Sequence, residues 1–169
     1  MPGSPTRCSR PVRFPASSRR EKSGAAALTQ RLLRLGAGGL TEDEIARRMA
    51  DVGAQLSGRF DQDRAGLSLR TLTSSDELKQ ALDLFMRVVQ RPEFPEAVLE
   101  REKSRSMAVI RDADTKPETI LGRNFNALVY GSHPYGLRST GEAATLATIT
   151  RDDLTQFYRR YYTADRAVV

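Results

Sequence analysis

The sequence predicts an α+β fold, with helices packed on one face of an antiparallel sheet. From residue 23 onwards, most of the chain carries apolar residues at helical spacing between capping residues and prolines. One segment, residues 55–70, instead alternates apolar and polar residues about a short acidic turn, which is typical of a β-hairpin. With 39% hydrophobic and 28% charged residues, the composition is that of a globular chain able to form a core.

Two helices are predicted ahead of the hairpin. Ser23 can cap a helix that runs to Leu35, where three closely spaced glycines end it: Gly36, Gly38 and Gly39. Thr41 and Glu44 have the spacing of a capping box, which predicts a second helix reaching about Val52. The hairpin follows, with its apolar positions at Leu56, Gly58, Phe60, Leu67 and Leu69 and its turn at Asp61-Gln62-Asp63.

Prolines and hydroxyl caps delimit four later helices, which begin near Ser74, after Pro95, after Pro117 and after Thr150. Helical spacing predicts the apolar face of each. In chain order these faces are Leu78, Ala81, Leu82, Phe85, Val88 and Val89; Leu99, Ser106, Val109, Ile110 and Ala113; Ile120, Leu121, Phe125, Leu128 and Val129; and Leu154, Phe157, Tyr158 and Tyr161. Residues 166–169 have the pattern of a strand that is just beginning.

Residues 1–22 differ from the rest of the chain, being rich in proline, serine and arginine. They hold six lysines and arginines against one acid, so +5 of the net charge of +6 lies there. A basic tail without a basic globular face argues against nucleic-acid binding, and no apolar run approaches the roughly 20 residues of a membrane span. We interpret residues 1–22 as a disordered or non-native tail, either a transit-like leader or a misassigned start. Residues 23–169 then form one domain, incomplete at both ends.

Four local strings occur in order along this domain. They are Gly36-Ala37-Gly38-Gly39 followed by Val52-Gly53-Ala54-Gln55-Leu56; Arg91-Pro92-Glu93-Phe94-Pro95 followed by Leu99-Glu100-Arg101-Glu102; Tyr130-Gly131-Ser132-His133-Pro134-Tyr135-Gly136 with Gly141-Glu142; and Thr150-Arg151-Asp152-Asp153-Leu154 with Arg159-Arg160-Tyr161-Tyr162. In this order and spacing they resemble the first domain of the pitrilysin/insulinase metallopeptidases, in the branch that includes mitochondrial processing peptidase. The resemblance implies a clamshell-shaped protein whose sheet edge accepts an extended peptide.

Active members of that family carry an inverted zinc motif, His-x-x-Glu-His, and a glutamate ligand on a later helix. The resemblance places the two histidine positions at Ala27 and Arg31, the general base at Gln30 and the third ligand at Val109. Alanine and valine have no donor atom, arginine is a permanent cation, and an amide cannot take a proton from water. Because His133 is the only histidine, no alignment supplies two. We therefore predict no catalytic residue, no metal site, no cofactor and no autonomous activity, although active relatives use zinc.

The resemblance then implies a non-catalytic homologue that pairs with an active, zinc-bearing subunit and helps to enclose an extended peptide. Two alternatives stay open. One is an enzyme with an unrecognised site, for which Gln30, Arg31 and His133 are the suggestive groups. The other is a truncated gene product without function. Bacterial relatives are often exported, which would fit a periplasmic location, but this sequence carries no export signal.

Overall fold

A computed structural model describes the backbone of residues 8–13 and the whole of residues 22–168. The described strands are β1 (Cys8–Arg13), β2 (Gly36–Ala37), β3 (Leu40–Thr41), β4 (Gln55–Phe60) and β5 (Arg64–Arg70). The described helices are α1 (Ala25–Leu32), α2 (Glu42–Asp51), α3 (Ser75–Gln90), α4 (Glu96–Ala113), α5 (Pro117–Tyr130), α6 (Ala143–Ala147) and α7 (Arg151–Tyr161), with short 3-10 helices at Pro134–Gly136 and Ala164–Arg166. The predicted α+β class is confirmed.

The main sheet has three antiparallel strands in the order β1-β5-β4. In the hairpin, Leu56 lies opposite Leu69 and Gly58 opposite Leu67, so the predicted alternation and register are those of the structure. Helices α1 and α7 pack on the face that carries Leu67 and Leu69, which are buried. Among the described strands, β4 has a partner on one side only and forms an edge of the sheet.

Strand β1 lies where the composition predicts a disordered tail. It pairs with β5 from Cys8 opposite Leu69 to Arg13 opposite Arg64. Without β1, the second side of β5 would present a row of unpaired backbone N–H and C=O groups, and backbone pairing demands little of side-chain type. Pro11 is compatible with this position because β1 is an edge strand. Residues 1–7 and 14–21 of the predicted tail lie outside the described residues.

Helix α1 is shorter than predicted. It begins after Gly24, whose φ of +97° ends the preceding turn, and it stops at Leu32. The chain then forms the small β2–β3 hairpin, which the sequence analysis missed. Its turn is Gly38-Gly39, with φ values of +58° and +78°, as a tight two-residue hairpin requires. Strands of two residues are too short for any periodicity to reveal.

One large core joins α1 to the hairpin, to α3 and α4, and to α7. Phe94 lies within it in spite of a φ of +50°, which is unfavourable for a residue with a side chain. Its ring packs edge-on against Tyr158, with 6.1 Å between the ring centroids. Burial of the aromatic ring offsets the backbone strain and anchors the Arg91–Pro95 turn.

The apolar faces predicted for the helices agree only in part with the residues that are buried. On α3, Leu84 is buried and Leu82 is 38% exposed, because the contact face is rotated by a fraction of a turn from the predicted one. On α4, Leu99 and Ile110 are buried as predicted, but Val109 is 61% exposed. Arg166, predicted to open a strand, belongs to a 3-10 helix, and Val169 lies outside the described residues.

Helix α5 is the largest departure from the predicted packing. It forms where the sequence predicts a helix, but it has no buried residue. Its predicted apolar face is exposed to solvent along its length, at Leu121, Phe125, Leu128 and Val129. The helical spacing therefore identifies the helix correctly but not a contact within this chain. None of the helices in the described part of the chain is both long and apolar enough to cross a membrane.

Candidate functional site

Helix α1 holds three of the four positions that the resemblance assigns to zinc binding or water activation in active relatives: Ala27, Gln30 and Arg31. Leu28 and Leu32 fix one side of the helix in the core. Ala27 is partly exposed, Gln30 is buried beneath the hairpin, and Arg31 projects towards α4. At these three predicted positions α1 therefore presents a methyl group, an amide and a guanidinium group.

Gln30 is held between α1 and the β4–β5 hairpin. Its Nε2 donates a hydrogen bond to the backbone oxygen of Gly66 at 3.3 Å. Gly58 provides the space for this amide, since a Cβ at that position would lie 2.0 Å from Gln30 Nε2. Gln30, which the resemblance places at the general-base position, is thus a structural contact to the sheet, with its amide nitrogen bonded to the backbone.

Arg31 is bound to α4. Its Nη1 donates to Ser106 Oγ at 2.9 Å and lies 3.6 Å from Glu102 Oε2. The Glu102 side chain is only 5% exposed, and its other oxygen lies 3.4 Å from Arg101 Nε. A buried carboxylate needs compensating charge, and two guanidinium groups supply it here. Arg101 continues the chain of charges to Glu42 on α2, with its Nη2 at 2.5 Å from Glu42 Oε2.

Val109, the fourth position, lies one helical turn beyond Ser106 on α4 and makes no polar contact. Sequence analysis expected Ser106 on the inner side of α4, as observed, but missed Glu102. The available signal is its spacing, because Glu102 and Ser106 are four residues apart and share a face with Leu99 and Ile110.

These residues do not fit a zinc ion. Zinc in proteins takes imidazole, thiolate or carboxylate ligands. Within residues 22–168, no group of three or more histidine, cysteine, aspartate or glutamate side chains is placed to hold a metal. The single carboxylate at this place, Glu102, already lies against two arginines. A cation of higher charge would have to displace Arg31 and would find one ligand.

His133, the remaining candidate, is part of a separate loop. Its Nδ1 accepts a hydrogen bond from Tyr135 N at 3.2 Å and so caps the 3-10 helix that follows. The Tyr135 hydroxyl donates to Asp63 Oδ1 at 2.6 Å, which ties this loop to the hairpin turn and raises the pKa of Tyr135 above its usual value. Gln30 and Arg31 bind β5 and α4 instead. The structure therefore does not bring these three residues together.

Comparison with known proteins decides the family. The model of the insulinase family, peptidase family M16, matches residues 15–142. The chain belongs to the insulinase (M16) family. The resemblance inferred from the four strings is thereby confirmed.

Curated M16 relatives share this sequence over most of its length. A probable mitochondrial-processing peptidase subunit beta of Arabidopsis thaliana is 23% identical over 149 residues, which cover 88% of this chain and 28% of that protein. An uncharacterized zinc protease of Mycobacterium leprae is 32% identical over 149 residues, covering 87% and 33%. The chain thus spans about a third of the length of these relatives.

Solved M16 structures confirm the fold. The crystal structure of a peptidase M16 inactive domain from Pseudomonas fluorescens matches with a TM-score of 0.92 and 30% identity, over 96% of this chain and 39% of that one. A protease from Helicobacter pylori matches with a TM-score of 0.85 at 20% identity, over 95% and 39%. The second likeness concerns the fold alone.

Proposed function

We propose that this chain is a non-catalytic M16 homologue, which pairs with an active, zinc-bearing M16 subunit and helps to enclose an extended peptide. The observation that carries the proposal is the state of Arg31. At the position that the resemblance assigns to a zinc ligand, this chain has a permanent cation bound to Ser106 and Glu102. Gln30, at the position of the base, is likewise committed to the sheet.

Two similarities support the pairing. A similar structure, from Pseudomonas fluorescens, is described as an inactive domain. A similar protein from Arabidopsis thaliana is named as the beta subunit of a processing peptidase, which implies that it works with another subunit. These two names are consistent with an inactive chain that works beside another subunit.

The exposed edge of β4 supports a peptide-binding role. It has unpaired backbone groups along one side, among the described strands, and an extended peptide could pair with them. This contact uses backbone hydrogen bonds and needs no metal. The chain would then contribute to peptide capture while the partner performs the cleavage.

The test combines this chain with an M16 peptidase from the same organism that retains His-x-x-Glu-His. Cleavage of an extended fluorogenic peptide is measured with and without this chain, and zinc is measured by elemental analysis of each protein. We expect faster cleavage with the chain present, and zinc on the partner alone. A partner variant with Gln in place of its motif Glu is the control, and it should abolish all cleavage. Equal rates with and without this chain, or one zinc ion per molecule of this chain, would overturn the proposal.

A further inference from the structure

We infer that the peptide bound along β4 is acidic on the side that faces away from the helices. This inference rests on the proposed function and adds the chemical class of the peptide. It depends on which residues of the hairpin face outward, on the charges they carry, and on what lies beside the edge of β4.

The outward face of the hairpin is defined by its contacts on the opposite side. A Cβ added at Gly58 would point towards Gln30 of α1, so this side of the strand faces the helices. Phe60 lies on the same side and packs with Ala65 and Tyr161. Because side chains alternate along a strand, Gln55, Ser57 and Arg59 point away from the helices. Their cross-strand partners are Arg70, Ser68 and Gly66. We call these six residues the outward face.

The outward face is basic. Strands β4 and β5 contain no acidic residue. Arg59 and Arg70 form no ion pair with any residue of the described ranges, whereas nearby Arg64 has Asp61 at 3.4 Å. Gly66 stands opposite Arg59, so no side chain on β5 covers this guanidinium group. Ser68 is buried, while Gln55, Ser57 and Arg59 are exposed, so the accessible part of the face is the edge along β4.

A peptide that extends the sheet would place alternate side chains beside Gln55, Ser57 and Arg59. Directly opposed side chains of neighbouring strands lie about 5 Å apart, and opposite charges there attract. Carboxylates at these positions would therefore meet Arg59 without a competing acid. Lysine at the same positions would be repelled.

The other side of the peptide would face an apolar cavity. A cavity of about 230 Å³ beside β4 is lined mainly by aliphatic side chains, with Leu56 of β4 among them. Arg34 and Glu42 also line this cavity, and Glu42 is paired with Arg101, so the lining carries one charge of each sign. The peptide should thus alternate acidic residues with small or aliphatic ones.

A nucleic acid is the other polyanion to consider. Single strands are usually held by aromatic side chains that stack on bases together with a basic groove. The outward face has no aromatic residue, and its free edge offers backbone pairing that a nucleic acid cannot use. The observations therefore favour a peptide.

The test measures binding of three fluorescent nine-residue peptides to the full chain by fluorescence polarisation at low salt. Each has one leucine and otherwise threonine on the inward positions, and Glu, Gln or Lys on the outward ones. We expect the Glu peptide to bind best and the Lys peptide worst. Arg59→Gln should weaken the Glu peptide roughly two- to fivefold and leave the Gln peptide unchanged. Arg59→Glu should reverse the order of the Glu and Lys peptides.

Arg159→Gln is the matched control, since it removes the same charge from the exposed surface of α7 and should change nothing. Equal binding of the three peptides would overturn the acidic preference and leave the proposed peptide-enclosing role intact. No binding of any peptide would overturn both. A single-stranded oligonucleotide that binds better than the Glu peptide, and does so through Arg59, would overturn the choice of a peptide.

Discussion

At the scale of single residues, the feature that stands out is the ion pair between Arg31 of α1 and the buried Glu102 of α4. Glu102 is buried, and a carboxylate without compensation is costly there. Arg31 provides the compensation from the neighbouring helix. Arg31 is therefore part of the packing between α1 and α4, because it contacts both Glu102 and Ser106.

Arg31→Gln should lower the free energy of unfolding by about 1–2 kcal/mol, since Glu102 would keep only Arg101. The loss should be smaller than for a fully buried pair because the Arg31 side chain is 42% exposed. Urea unfolding measures it. Arg105→Gln, exposed on α4 and without an ion pair in the described ranges, is the control and should change little. If both variants unfold alike, the pair does not stabilise the fold.

Gly58→Ala should destabilise the chain by about 1–3 kcal/mol, because the added methyl would lie 2.0 Å from Gln30 Nε2. Adding Gln30→Ala to this variant should recover part of the loss by emptying the space. Gly122→Ala is the control, because no atom lies within 4 Å of the position that its Cβ would take on the exposed helix α5. There alanine should be neutral or slightly stabilising. Thermal unfolding of the variants distinguishes a local clash from a general effect of glycine replacement.

At the scale of secondary-structure elements, α7 is fixed at its first turn by Asp153. Its Oδ2 accepts hydrogen bonds from Thr150 N and Oγ1, both at 2.9 Å, and from Lys22 Nζ at 2.7 Å. Partial burial acts to raise the pKa of Asp153, but the bonds from Lys22 and Thr150 outweigh it and hold the pKa below its usual 3.8. The charged form therefore stabilises the fold.

Asp153→Asn should cost about 1 kcal/mol of unfolding free energy at about pH 7. Because the folded pKa is lowered, this contribution is complete above the unfolded pKa and disappears as the pH falls through the folded value. In urea unfolding the variant and the original chain should thus converge as the pH falls from the unfolded pKa of Asp153 through its lower folded pKa. Asp152→Asn, one residue earlier and exposed, should show a smaller difference. A pH-independent difference would mean that the carboxylate charge is not involved.

Elements with local signals could be predicted from the sequence, and those made by tertiary contacts could not. The capping boxes at Thr41 and Thr150 fix the starts of α2 and α7, and alternation fixes the β4–β5 register. The β2–β3 hairpin and the five-residue helix α6 are too short to show a period. Strand β1 exists because β5 offers it backbone partners, which no local property of residues 8–13 reveals.

The candidate site divides in the same way. Resemblance could assign Ala27, Gln30, Arg31 and Val109 to their family positions, and that assignment stays a prediction. The ion pair of Arg31 with Glu102 could not be predicted. The two residues are 71 positions apart in sequence, and their pairing follows from the packing of α1 against α4. Likewise, the contact of Gln30 with Gly66 depends on a glycine across the hairpin, at residue 58.

At the scale of the whole molecule, stability should not respond to zinc. A ligand that binds only the folded state raises its stability by mass action, and residues 22–168 contain no set of donors placed to bind zinc in this way. The melting temperature of the chain should therefore be the same in micromolar zinc and in chelator. An M16 relative with an intact His-x-x-Glu-His serves as the positive control. A melting temperature several degrees higher in zinc than in chelator would contradict the assignment of the four degenerate positions.

Helix α5, which buries no side chain, has a consequence for local unfolding of the molecule. A helix of 14 residues is marginal in water when it lacks packing, so α5 should open on its own while the rest of the fold stays closed. In deuterium-exchange mass spectrometry, amides of α5 should exchange orders of magnitude faster than those of α1, which open only when the whole domain does. The backbone amides would then fall into two classes of protection against exchange, a low one in α5 and a high one in the core. A protease would make its first cut between residues 117 and 130.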